Sequence, residues 1–266
     1  MAATHHPTAA AAALVPAGLL LSTHSPAHRH VGHLDGCAEE PHSHGEHTLF
    51  WPERGFSEVR TRDQLWNLTV GQGLWVPAGT EHSVNRRSST TPAAMYIRPT
   101  AWRRAVGPVR TVVVNTALRE LLAHLDWTPM PRAQRLRAQE VCLELITDGS
   151  RPTITVPLPH DQRIAEIARQ IMADPADNHS IDDWAYRTSQ SSRTIARAFR
   201  AETGLTFTQW RTHARMARAV ELLGEDLPVG VVARRVGYNT SSSFTAAFRR
   251  LLNPDPPGSW RSLSVA

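Results

Sequence analysis

The chain has 266 residues, with 29 Lys+Arg against 24 Asp+Glu and a formal net charge of +5 at pH 7. This length accommodates two domains with a core each, and no stretch approaches the roughly 18 uninterrupted apolar residues of a membrane helix. All 29 basic residues are Arg, whose planar fork suits phosphate oxygens and guanine edges, so the surplus points towards a polyanionic partner.

The two cysteines, Cys37 and Cys142, are far apart and form no CxxC pattern. A disulfide framework and a zinc ribbon are thereby excluded, and the chain reads as cytoplasmic. Residues 1–25 contain an apolar run with no preceding Lys or Arg, broken by Pro16 and Gly18. They read as a mobile tail rather than a signal peptide.

From 26 to 105 the chain is rich in Gly, Pro, Trp and His. The runs HTLFW, QLWNLTV, GLWVPAG, HSVN and AAMYIRP recur every 8 to 12 residues or so, the spacing of a β-sandwich or barrel. Residues 106–160 read as a helical connector and linker. TALRELLAHL and AQRLRAQEVCLELITDG carry apolar residues at helical spacing, and GSRPTITVPLPHD is a Pro-rich linker with a short extended run. The connector packs on its own barrel or forms a dimer interface; both readings stay open.

Residues 161–266 read as helical throughout. Ile164, Ile167, Ala168 and Ile171 share one face; Ser180 with Asp183 marks a helix start, and Gly204 a helix end. Two short helix-turn-helix units flank one long amphipathic helix. The expected fold class is α+β: a β-barrel, a helical connector, and an all-α domain with two helix-turn-helix units.

The stretch SIDDWAYRTSQSSRTIARAFRAETGLTFTQWRTHARMARAVELL, followed by VARRVGYNTSSSFTAAFRR and a terminal SWR, resembles the AraC family of bacterial transcription regulators. Ser189 departs from the family by standing where a turn Gly is usual, so the turn must be built without glycine's freedom. NPDPPGSW also replaces the usual Gly-x-x-Pro near the end. The resemblance implies that a helix starting at Ser191 enters the major groove with its N-terminal residues at base edges. Ser191, Ser192, Arg193, Ala196 and Arg197 then face DNA in the first unit, and Ser241, Ser242, Ser243, Thr245, Ala246 and Arg249 in the second. Arg193 and Arg197 would read guanine, whereas the small hydroxyls of the second unit would anchor phosphates. Between Ser191 and Ala266 eleven Arg face five acids, so the positive charge gathers where DNA would dock. The implied partners are double-stranded promoter DNA, a small-molecule effector, RNA polymerase and a second copy of the chain, with no membrane.

PHSHGEHTLFW and GQGLWVPAGTEHSVN resemble the cupin-type sensor domain found in one branch of those regulators. Cupins show His-x-His, then a Glu, then Pro-x-Gly-x-x-His. His42, His44 and His82 match the histidines, and Pro77 and Gly79 match the turn, while Thr48 stands where the Glu is usual. His42, His44 and His82 are thus expected to hold a divalent transition metal, or to line an effector pocket without one. Trp75 is expected to line that pocket. The leading reading is a regulator controlled by an effector or metal in the barrel. The alternative is a metal-dependent cupin oxygenase or isomerase carrying a DNA-binding tail; no catalytic residue is assigned, and the chain is expected not to be an enzyme.

Overall fold

A computed structural model of the protein describes residues 14–24, 40–85, 92–149 and 153–252. Ten strands form two antiparallel sheets. The first contains β1 (Leu21–His24), β2 (His47–Pro52), β5 (Gln72–Val76), β7 (Pro92–Ile97), β8 (Arg110–Val113) and β9 (Thr147–Asp148), in the order β1-β7-β2-β5-β8-β9. The second contains β3 (Phe56–Thr61), β4 (Gln64–Thr69), β6 (His82–Asn85) and β10 (Ile154–Pro157), in the order β10-β4-β3-β6.

Phe50, Leu74 and Val76 of the larger sheet meet Val59, Leu68 and Val84 of the smaller one in a shared apolar interior. Because side chains alternate along a strand, Leu49, Trp51 and Trp75 point the opposite way. There they pack against α1 (Thr116–Trp127) and α2 (Arg132–Leu145) through Leu118, Leu122, Leu125 and Cys142. Strands β2 and β5 are buried on both faces, which accounts for their uninterrupted apolar text. The connector helices therefore pack on their own sheet.

The remaining helices are α3 (Gln162–Ala173), α4 (Ile181–Arg187), α5 (Ser192–Thr203), α6 (Phe207–Gly224), α7 (Val229–Arg235) and α8 (Ser241–Leu252). They share one hydrophobic core, and that core runs on into Phe56, Leu65, Ile154 and Val156 of the smaller sheet. Helix α6 lies along β10. The Trp210 Nε1–H donates to the Pro157 carbonyl at 2.7 Å, and His213 Nδ1 lies 2.8 Å from the Thr155 carbonyl. At the far end of α6 a Cβ on Gly224 would come within 2.9 Å of the Phe56 ring. The two halves thus touch along the whole length of α6.

Several elements depart from the sequence expectation. Strand β1 lies in the stretch read as a tail, and β8 and β9 lie in the stretch read as a helical connector, yet they complete the larger sheet, while the short extended run of the linker is β10 of the smaller one. Strand β3 went unread because Glu58 and Arg60 interrupt its apolar residues. Among the described residues no helix is long and apolar enough to cross a membrane.

Candidate DNA interface and histidine cluster

Each helix-turn-helix unit is built by local hydrogen bonding. Helix α4 opens on a capping box in which the Ser180 hydroxyl accepts from the Asp183 N–H and the Asp183 carboxylate accepts from the Ser180 N–H. It ends in a paired-bond cap: Gln190 N–H donates to Ala185 O at 2.9 Å and Ser189 N–H to Tyr186 O at 3.3 Å. Helix α7 closes the same way, with Tyr238 N–H donating to Ala233 O at 2.8 Å and Gly237 N–H to Arg234 O at 3.1 Å. Gly237 has φ +80°, and Ser189 takes the same left-handed conformation at φ +54°. The first turn therefore does not avoid the glycine conformation; a serine bears it, against the steric cost of its Cβ.

Helix α5 is capped by Ser191, whose hydroxyl accepts from the Thr194 N–H at 3.0 Å. Ile195, Ala198 and Phe199 enter the core, while Arg193, Ala196, Arg197 and Arg200 are exposed. Helix α8 is capped by Thr240, which accepts from the Ser243 N–H at 3.1 Å. Phe244 is buried there, and Ser241, Ser242, Ala246 and Arg249 are exposed. Besides the capping Ser191, three hydroxyls expected at DNA have partners inside the protein. Ser192 donates to Asp182, Ser243 to the Thr240 carbonyl and Thr245 to the Ser241 carbonyl.

The histidines expected to meet do so. His42 and His82 exchange both backbone hydrogen bonds at 2.9 Å, and one ligand atom from each of His42, His44 and His82 lies within 4.8 Å of the others. His42 Nδ1 faces the Glu40 carbonyl at 3.0 Å and His82 Nδ1 the Thr80 carbonyl at 2.8 Å. A carbonyl only accepts, so both Nδ1 atoms carry a proton, and in the neutral ring the lone pair is then on Nε2. That is how histidines are oriented at metals, and the set fits a three-nitrogen site. Thr48 Oγ1 lies 3.2 Å from His44 Nε2, so a hydroxyl stands where the cupin carboxylate would be. Glu46 is turned to the Leu14 N–H at 3.1 Å, with an oxygen 3.7 Å from His44 Nδ1.

Trp75 does not join this cluster. It is fully buried on the outer face of β5, stacked at 4.2 Å on Trp102, with its Nε1–H on the Val106 carbonyl. Both faces of β5 are apolar and buried, so alternation alone did not say which face was the interior. His47 shares that outer face, 5.0 Å from Trp75, and accepts from the Ala78 N–H.

Residues 184–262 match a family model described as a helix-turn-helix domain. The transcriptional regulator RipA of Corynebacterium glutamicum is 27% identical over 79% of this chain and 60% of its own length. The regulator NimR of Escherichia coli K12 is 24% identical over 85% of this chain and 84% of its own. An apo structure of a ToxT variant from Vibrio cholerae aligns over 91% of this chain and 96% of its own at 12% identity, with a TM-score of 0.35. Residues 184–262 are thus a helix-turn-helix domain, over the text that resembles the AraC family.

In this AraC-type domain the count of arginines overstates the charge available to DNA. Arg215 is buried in α6 and donates to the Pro175, Asp177 and Gly237 carbonyls and to Asn178 Oδ1. Burial lowers its pKa from the ordinary arginine value. Arg218 pairs with the buried Glu221, and Arg211 donates to the His179 carbonyl. Arg193, Arg197, Arg234, Arg235 and Arg249 are exposed and hold no ion pair among the described residues. Arg261 and the SWR text lie outside the described residues. Composition had no means of separating the arginine that rivets the domain together from those that face outwards.

Proposed function

We propose that the chain is a sequence-specific DNA-binding transcription regulator whose sheet-rich half, a cupin-like barrel, binds a small effector. The observation that carries this is the pair of capped recognition helices, each with its apolar face in one core and its first outward residues exposed. In the proposed division of labour, Arg193 and Arg197 read base edges, while Ser241, Ser242 and Arg249 anchor the backbone. With α6 holding the units apart, the two helices enter successive major grooves, about 34 Å apart. RNA polymerase, a second copy of the chain and a cytoplasmic setting belong to the same reading, as does the absence of enzymatic activity. The names of RipA and NimR, both transcriptional regulators, support it over an oxygenase or isomerase.

A second element of the proposal rests on the histidine cluster. His42, His44 and His82 would hold a divalent transition metal through neutral nitrogens, leaving a coordination position open to an effector atom. Footprinting of the full chain on the DNA upstream of its own gene tests the regulator. A protected segment with a recurring sequence is expected, and one much longer than about two helical turns indicates a dimer. Metal analysis of protein purified without a histidine tag tests the cluster. Less than about a tenth of an equivalent removes the metal from the proposal.

A further inference from the structure

A cavity of about 580 Å³ opens where the β3–β4 turn, the β5–β6 loop and the segment leading into β8 come together. Its volume falls in the range of small-molecule sites. Trp66, Val109 and Pro108 form its apolar wall, and Arg62, Asp63, Thr80 and Glu81 supply polar groups. Trp66 and Val109 also pack on the interior cluster between the sheets, so the cavity is a mouth of that interior. The Trp66 Nε1–H donates to Thr61 Oγ1 at 3.2 Å, which fixes the indole plane. Two carboxylates against one guanidinium make the lining electronegative, and an indole face attracts cations.

The same wall is tied to the DNA-binding half. The Asp63 carbonyl accepts from the Leu158 N–H at 2.9 Å, and its carboxylate pairs with His160 Nε2 at 2.8 Å. The His160 N–H in turn donates to Glu202, on recognition helix α5, at 3.1 Å. A cation bound beside Asp63 would compete with His160 Nε2 for that carboxylate, on the residue whose backbone N–H also holds Glu202 of α5.

We propose that this cavity is a second effector site, apart from the histidine cluster, and that it takes a small aromatic amine in its charged form. The inference rests on the regulator reading for its consequence, and on the cavity alone for binding. Its probes are tryptamine and the carboxylate of similar shape, indolepropionate, titrated calorimetrically into the full chain. Tryptamine binds saturably, and Glu81→Gln and Trp66→Ala each weaken it by about tenfold or more. Glu81 is exposed, so its variant reports on charge and not on folding. Absent saturable tryptamine binding, indolepropionate binding as tightly, or affinity unmoved in both variants would each overturn the assignment. At saturation tryptamine shifts affinity for the footprinted DNA by about fivefold or more, and no shift at saturation overturns the coupling. A chain that binds tryptamine but no DNA keeps the cavity and sinks the regulator; one that binds DNA but no tryptamine does the reverse.

Discussion

Arg215 holds the AraC-type domain together from inside, because its guanidinium reaches the loop before α4 and the turn before α8 at once. An Ala there leaves one buried and two part-buried carbonyls without this donor, and each hydrogen bond to a charged group is worth about 1.5–3 kcal/mol. Arg215→Ala is therefore expected to destabilise the chain by about 3 kcal/mol or more in urea unfolding, by the same reckoning. Arg249→Ala on the exposed face is expected to stay within about 0.5 kcal/mol.

His47 makes a different prediction. Burial lowers its pKa from the ordinary value of 6.5, and its Nδ1 accepts the Ala78 N–H at 2.9 Å, so the ring is held neutral. Below pH 6.5 the unfolded chain takes up a proton at His47 that the folded chain refuses. The contribution of His47 is thus complete above that pH and declines as pH falls towards the folded pKa. Melting curves from pH 7 to 5 are expected to show a smaller acid loss in His47→Gln than in the parent. An equal loss would locate the titration elsewhere.

Among the elements, the turn between α4 and α5 takes a left-handed backbone without a glycine. Ser189 at φ +54° does what Gly237 does in the second unit. A left-handed non-glycine residue costs roughly 1–2 kcal/mol. Ser189→Gly is expected to recover about 1 kcal/mol of it and raise Tm by a few degrees; a lower Tm would mean that the serine contributes more than its strain.

The helices of this half were legible because their signals are local. Ser180 with Asp183, Gly204 and the spacing of Ile195, Ala198 and Phe199 all act within a turn or two. The sheets were less so. Phe56 and Leu65 bury in the core shared with α6 (Gly224 closes on Phe56), and nothing near them in sequence announces that partner. His42, His44 and His82 were legible through the cupin resemblance, and the His42–His82 bridge is what brings them together. Trp75 was misplaced and Trp66 passed over because the inward face of a strand depends on which sheet stands opposite.

Across the whole molecule, one apolar core runs from the smaller sheet through β10 into α6, with a recognition helix packed on either side of it. The sheet-rich half thereby becomes a floor for the helical half, and under the proposed reading an effector that favours one arrangement of that floor would bias the placing of the recognition helices. Arg193, Arg197, Arg234, Arg235 and Arg249 stand exposed on the helical domain, and the buried Arg215 serves its packing.

Selection of bound fragments from random duplex DNA by the full chain, set beside Arg193→Ala and Ser242→Ala, tests the central claim most directly. An enriched site is expected in which Arg193→Ala erases preference at one or two positions, a loss of about 1–3 kcal/mol of discrimination. Ser242→Ala is expected to weaken binding evenly across sequences. Salt-sensitive binding with no enriched motif, or a motif loosened more by Ser242→Ala than by Arg193→Ala, would contradict the account.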